Sequence, residues 1–205
     1  MAVSPKIVIF DFGNVLLRWD PNFLYEKLIP DENERQHFLT QICSPEWNME
    51  QDRGRPWNDA VSELVAQHPD KEDLIRAFYD RWHETLPGAI DGSVAILETL
   101  KAQKTPLYAI TNFSVEKLEE CKSRFPFLAT SFRDIVVSGE VELLKPDPKI
   151  YQILTERNAL DTSDCIFIDD SPANVATANS LGITGLHFTT PERLAADLTA
   201  LGLSV

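Results

Sequence analysis

Short, unbroken apolar runs alternate along the chain with longer stretches in which apolar residues recur every three or four positions. The runs are Ile7–Phe10, Pro106–Ile110, Asp134–Ser138 and Cys165–Ile168, with Gly182–Phe188 as a fifth candidate. None shows the two-residue alternation of a strand with one wet face, so they predict parallel strands covered on both sides. Between them lie helical patterns. Asp91–Ala102 sets Val94, Leu97 and Leu100 near one face, and Pro148–Arg157 gathers Ile150, Ile153 and Leu154. Pro172–Leu181 and Pro191–Leu201 each carry proline in the first turn and glycine, Gly182 or Gly202, just past the end. Strand–helix alternation of this kind predicts an α/β fold with an open, doubly wound, Rossmann-like parallel sheet.

Residues 18–86 break the rhythm. They read as helices over Pro21–Ile29, Asp31–Cys43, Trp57–Gln67 and Asp70–Thr85, with no convincing strand, and they hold all four tryptophans. Leu86-Pro87-Gly88 suits a turn back to the sheet. The expected organisation is a core of residues 1–17 and 87–205 with an inserted helical cap over 18–86.

Composition narrows the picture. A chain of 205 residues that is 43% hydrophobic can bury one sizeable core. A formal charge of −13 gives little attraction for nucleic acid or an anionic membrane face, so neither is expected as a partner. Cys43, Cys121 and Cys165 are scattered and odd in number, which fits reduced thiols in a cytoplasmic setting. The first apolar run is short and interrupted by Asp11, unlike a signal peptide, and no run approaches the length of a membrane span.

In open parallel sheets, ligands bind at the carboxyl ends of the strands. Asp11 follows the first run, Thr111-Asn112 the second and Asp169-Asp170 the fourth, while Lys145 comes shortly after the third. Each has an ordinary explanation. Asp11 suits a strand-end turn, Asp169-Asp170 a helix cap, Thr111-Asn112 a helix entry, and Lys145 a solvated position in a Lys-Pro-Asp-Pro turn. Together they place three carboxylates, a hydroxyl, an amide and an ammonium on one edge. Three acids side by side call for a cation, and all-oxygen ligation suits Mg²⁺. The remaining donors suit phosphate.

These residues carry a family resemblance that spans nearly the whole chain. DFGNV (Asp11–Val15), YAITN (Tyr108–Asn112), LLKPDPKIY (Leu143–Tyr151) and IFIDDSPANVATANSLGI (Ile166–Ile183) resemble, in order, the four motifs of the haloacid dehalogenase superfamily of hydrolases. The helical insertion corresponds to that family's cap of the first type. The resemblance implies that Asp11 is a nucleophile forming an aspartyl-phosphate. It implies Mg²⁺ held by Asp11, the Gly13 carbonyl and Asp170, with Asp169 a second acid at the metal. Lys145 and Thr111 would hold phosphoryl oxygens, with Asn112 beside them.

One position departs from the pattern. Family phosphatases usually carry a second aspartate, a general acid and base, where this chain has Gly13. Asp-x-Gly-Asn-Val resembles a branch of sugar-phosphate phosphatases that includes glucose-1-phosphate phosphatase-like members, and the acidic pair also resembles the phosphatase domain fused to mammalian epoxide hydrolase. Asp20, Glu50, Asp52 and His83 are candidate replacements for the missing acid. The implied activity is a Mg²⁺-dependent hydrolysis of a small phosphorylated metabolite by a monomer or homodimer. A metal-independent 2-haloacid dehalogenase is the rival, since a departing halide needs no proton, and a catalytically weak phosphometabolite-binding protein is a third reading. Within the cap, Arg53 or Arg55 could grip a leaving group, and Trp47 or Trp57 could stack on a sugar. Alternatively, the tryptophans form the cap's own core.

Overall fold

The computed structural model describes residues 6–205; the first five residues of the expected core lie outside them. The strands are β1 (Ile7–Phe10), β2 (Leu17–Arg18), β3 (Gly88–Ala89), β4 (Leu107–Thr111), β5 (Ile135–Val137), β6 (Cys165–Asp169) and β7 (Thr184–His187). The first five helices are α1 (Asn22–Leu28), α2 (Glu32–Gln41), α3 (Pro45–Asp52), α4 (Trp57–Gln67) and α5 (Glu72–Asp80). The remaining seven are α6 (Asp91–Ala102), α7 (Val115–Arg124), α8 (Phe127–Thr130), α9 (Ser138–Val141), α10 (Pro148–Arg157), α11 (Pro172–Ser180) and α12 (Pro191–Ala200).

Five strands form one parallel sheet in the order β5-β4-β1-β6-β7. The central strand is the first apolar run, and Val8, Ile9 and Phe10 are fully buried. Its side chains alternate between two packed layers. Ile9 joins Tyr108, Ile110, Tyr151 and Phe167 on one face, while Val8 and Phe10 join Leu107, Ala109, Ile166 and Ile168 on the other. Covering both faces is what lets every position of the run be apolar. The chain winds from β1 outward through β4 to β5, then crosses to β6 and outward to β7. The direction of winding therefore reverses beside β1, where such sheets open a crevice at their carboxyl edge.

β4 and β6 run one residue further than their apolar runs, because Thr111 pairs with Val137 and Asp169 with His187. The edge strand β7 packs so closely on α11 that a Cβ at Gly185 would come within 2.8 Å of the Val175 carbonyl oxygen. In α10, Asp147 accepts a hydrogen bond from the Lys149 amide at the N-terminus, Pro148 occupies the first turn, and Ile150, Tyr151 and Leu154 are buried.

The segment between β2 and β3 is helical, and its two ends are tied together. Leu17 pairs with Ala89 and Arg18 with Gly88 in a short antiparallel ladder. The pattern over Asp70–Thr85 is not one helix. A 3₁₀ turn over Pro69–Lys71 leads into α5, and a second covers Trp82–Thr85. The break turns Trp82 inward, where its ring meets Phe113 edge-on at 5.6 Å. α3 is a further helix in a stretch with no apolar period; Ser44 caps it through the Trp47 amide and Pro45 starts it. Trp47, Trp57 and Phe78 pack together with centroids 5.4–5.9 Å apart. This apolar cluster runs without interruption from the insertion into the layer under the sheet.

Candidate active site

Asp11 stands at the carboxyl end of the central strand. Its amide donates to the Ile168 carbonyl at 2.9 Å, which continues the β1–β6 ladder through the aspartate and fixes its backbone. One carboxylate oxygen accepts from the Phe12 amide at 2.7 Å. The Lys145 ammonium reaches Asp11 at 2.8 Å and Asp169 at 2.7 Å, and donates to the Ile110 carbonyl at 3.1 Å. Lys145 is only 4% exposed, Asp11 7% and Asp169 0%. An ion triad so deeply buried persists only when its geometry is complete. Asn112 completes it by clamping the lysine's main chain: its amide donates to the Lys145 carbonyl at 3.1 Å and accepts from the Lys145 N–H at 2.8 Å.

The acidic pair divides its work. Asp169 is occupied, accepting from Lys145, from the Ser171 amide at 2.8 Å and from the Asn174 side chain at 2.9 Å. It holds the ammonium in place. Asp170 is half-buried and lines the cavity above Asp11. One oxygen from each of Asp11, Asp169 and Asp170 lies within 4.8 Å of the others. Burial pushes the Asp11 carboxyl up to about 7 against the pull of Lys145, and Asp169 and Asp170 add to the rise. Burial, with the charge of Asp169, also raises Asp170. Burial opposes the Lys145 ammonium, but Asp11 and Asp169 outweigh it and hold it above its ordinary value. Three carboxylates thus share one ammonium, and the excess of negative charge is the donor set expected of a hard divalent cation. The Gly13 carbonyl accepts none of the backbone hydrogen bonds of its loop, in which Asn14 donates to Leu17 and Leu17 to Phe12. The residues present fit Mg²⁺.

The cavity measures about 270 Å³. Asp11, Gly13, Asn112, Lys145, Asp170 and Asn174 form its polar floor. Trp19, Pro45, Met49, Trp82, Leu86 and Phe113 form much of its upper wall.

The other expected residues fall in different places. Thr111 is fully buried at the end of β4, and its hydroxyl has no partner among the described residues; the wall beside it is formed by Asn112. Arg53 is exposed, 3.5 Å from Glu50, and does not line the cavity. Arg55 pairs with Glu63. Trp47 and Trp57 sit in the aromatic cluster, and the Trp57 indole donates to Ser114 at 3.0 Å. The aromatic wall comes instead from Trp19 and Trp82. Sequence reasoning also left Asn174 without a role, although Asn174 sits on the helix that the acidic pair introduces.

Residues 8–187 match the family model described as haloacid dehalogenase-like hydrolase. A flavin mononucleotide hydrolase of Arabidopsis thaliana is 33% identical over 66% of this chain; the match spans 59% of that relative's length. A sesquiterpene phosphatase of Aspergillus oryzae is 26% identical over 92% of each chain. Among solved structures, a HAD family enzyme of Bacteroides thetaiotaomicron in complex with magnesium and inorganic phosphate superposes with a TM-score of 0.70 at 24% identity, covering 91% of this chain and 96% of the other. A dehalogenase shares the fold as well, with a TM-score of 0.69 at 15% identity over 97% and 99% of the two chains.

Proposed function

The chain belongs to the haloacid dehalogenase-like hydrolases, and from that premise we propose that it is a Mg²⁺-dependent phosphomonoesterase acting through an aspartyl-phosphate on Asp11. The observation that carries this reading is the buried Asp11–Lys145–Asp169 triad with Asp170 beside it on the cavity. Asp11 is the nucleophile, fixed by its backbone ladder and by Lys145. Lys145 neutralises charge on the phosphoryl oxygens as they transfer. Asn112 holds Lys145 in position, while the Thr111 hydroxyl is fully buried and does not line the cavity. Asp11, Asp170 and the Gly13 carbonyl would hold Mg²⁺, with Asp169 acting behind them through Lys145. When bound, the ion offsets the negative charge that otherwise repels a phosphate dianion.

Fold alone does not separate this activity from dehalogenation. The second carboxylate on the cavity does favour phosphoryl transfer, since a metal-free site for an anionic haloacid gains nothing from Asp170. The substrate is a small phosphorylated metabolite. The Trp19–Trp82–Phe113 wall suits a leaving group with a flat or apolar face, which includes a sugar ring laid against an indole. Three buried free cysteines fit the expected cytoplasmic setting. Among the described residues no helix is long and apolar enough to cross a membrane.

The test is a panel of glucose 1-phosphate, flavin mononucleotide, an isoprenyl phosphate and 2-chloropropionate, each with Mg²⁺ and with excess chelator. Phosphate release that requires Mg²⁺ is expected. Halide release in chelator, without phosphatase activity, would reverse the assignment.

A further inference from the structure

Gly13 poses a chemical problem. Its position faces the cavity, yet a Cβ built there meets no atom within 4 Å, and its φ lies outside the left-handed region. Neither packing nor backbone strain requires glycine. A side chain that would supply a proton is missing where there is room for one.

We infer that Asp52, carried into the cavity by the inserted segment, is the proton donor that replaces the side chain absent at Gly13. The inference rests on the phosphomonoesterase reading above. Three carboxylates line the cavity: Asp11, Asp52 and Asp170. The first is the nucleophile and the last belongs to the metal group. Asp52 alone of the three comes from the insertion side, where Pro45, Asn48 and Met49 of the same helix also line the cavity.

Its carboxyl is held from both sides. One oxygen accepts from the Ser114 amide of the core at 3.1 Å, and the other from the Asn48 side chain at 3.1 Å. The Ser138 hydroxyl donates to the Asp52 main-chain carbonyl, so the end of α3 is seated on the core. A neutral carboxyl keeps both accepted bonds and has its single O–H left for the cavity. The other three candidates are elsewhere. Asp20 caps the start of α1 through Asn22, Glu50 is exposed beside Arg53, and His83 is exposed and off the cavity wall.

The surroundings keep Asp52 protonated. Burial, with help from the charge of Asp11, pushes its carboxyl up to about 8 against the Ser114 hydrogen bond. The cations on the cavity are engaged elsewhere: Lys145 with Asp11 and Asp169, and Lys117 with Glu120 at 2.7 Å and the Tyr79 carbonyl. The other charged groups on α3, α7 and α9 that approach this corner, Glu46, Glu50, Glu116 and Glu140, are exposed, as is Arg53 after α3. The proton balance closes. As an Asp11 oxygen bonds to phosphorus, the bond from phosphorus to the leaving oxygen breaks, and that oxygen takes the electron pair and the Asp52 proton. The Asp52 carboxylate then removes a proton from the water that attacks the aspartyl-phosphate, and Asp11 leaves with its electron pair restored.

Asp52→Asn keeps the shape and is tested on 4-nitrophenyl phosphate, whose leaving group needs no proton, and on an alkyl phosphate, whose leaving group does. Alkyl-phosphate turnover should fall about 10²- to 10³-fold. Formation of the phosphoenzyme from the nitrophenyl ester should persist, with the aspartyl-phosphate accumulating on the intact protein by mass spectrometry because the base for water is gone. In wild type, kcat/KM for the alkyl phosphate should decline as pH rises through about 8, and the variant should lack that limb. Gly13→Asp combined with Asp52→Asn should recover part of the alkyl-phosphate rate. An equal loss on both esters without accumulation, or no loss on either, would overturn the inference while leaving the phosphomonoesterase reading intact. Failure of wild type to release phosphate from any ester would overturn both.

Discussion

The sheet edge and the helical insertion face each other across one cavity, and they are built on opposite principles. At the sheet edge the three members of the ion triad are each held in place: Asp11 by its strand ladder, Lys145 by the two-way Asn112 clamp, and Asp169 by three donors. On the insertion side the wall is made of aromatic rings and helix-end residues, and α3 leaves the polar atoms Trp47 Nε1, Asn48 Oδ1 and Gln51 Oε1 buried without a partner among the described residues. The first region is over-determined and suits a reaction common to a whole family. The second is loosely satisfied and suits a part that selects among leaving groups. The contrast implies that substitutions at the sheet edge act on the chemical step for every substrate, whereas substitutions in the insertion act unevenly across substrates.

The largest effect belongs to Asp11→Asn. Turnover should fall below about 10⁻⁴ of wild type, the scale of losing a covalent nucleophile, while circular dichroism is unchanged. Stability gives a second readout. Burial raises this carboxyl to about 7, above an unfolded value of about 4. Between those values the folded state holds the extra proton, so the group's stabilising contribution is full below the lower value and lost as pH rises to the upper. Without metal, wild type should lose melting temperature across that window more steeply than Asp11→Asn. Parallel curves would show that Asp11 is not raised.

Asp170→Ala should come next, increasing the Mg²⁺ concentration for half-maximal activity by at least about 10- to 100-fold, the loss that removal of a mere partner of a metal ligand causes, with much of the maximal rate recovered at high Mg²⁺. A half-maximal Mg²⁺ concentration unchanged from wild type would remove Asp170 from the metal group. The smallest effect is Arg53→Ala. Its side chain is exposed and off the cavity wall, so KM should change by less than about threefold and stability by no more than about 0.5 kcal/mol. A large substrate-dependent rise in KM would mean that the insertion moves to bring Arg53 onto the ligand, and the division between the two regions would have to be redrawn.

That division also marks what could be read from residues alone. The strands were legible because Ile7–Phe10 and Cys165–Ile168 are apolar on both faces, and α6, α10 and α4 match their apolar periods from end to end. The clustered carboxylates and the ammonium were legible because they follow strand ends. α3 was not, because the two residues it buries, Asn48 and Gln51, are both polar and leave no apolar period. α7 hid for a related reason, since in VEKLEECKSR only Leu118, Cys121 and a buried lysine face inward. The Leu17–Arg18 ladder with Gly88–Ala89 is too short to register as strands. Asp52 could be named as an acid but not placed. The missed signal was Ser44-Pro45, a cap followed by a first-turn proline, which would have started a helix there and set Asp52 one turn after Asn48.

The central claim is that water attacks phosphorus on an aspartyl-phosphate at the sheet edge. Hydrolysis of 4-nitrophenyl phosphate over many turnovers in oxygen-18 water, followed by mass analysis of the released phosphate and of the peptide containing Asp11, tests it most directly. Label in the phosphate and none in Asp11 is the expected result. Label accumulating in the Asp11 carboxylate would mean that water attacks the acyl carbon, as in displacement of a carbon ester, and would contradict the account.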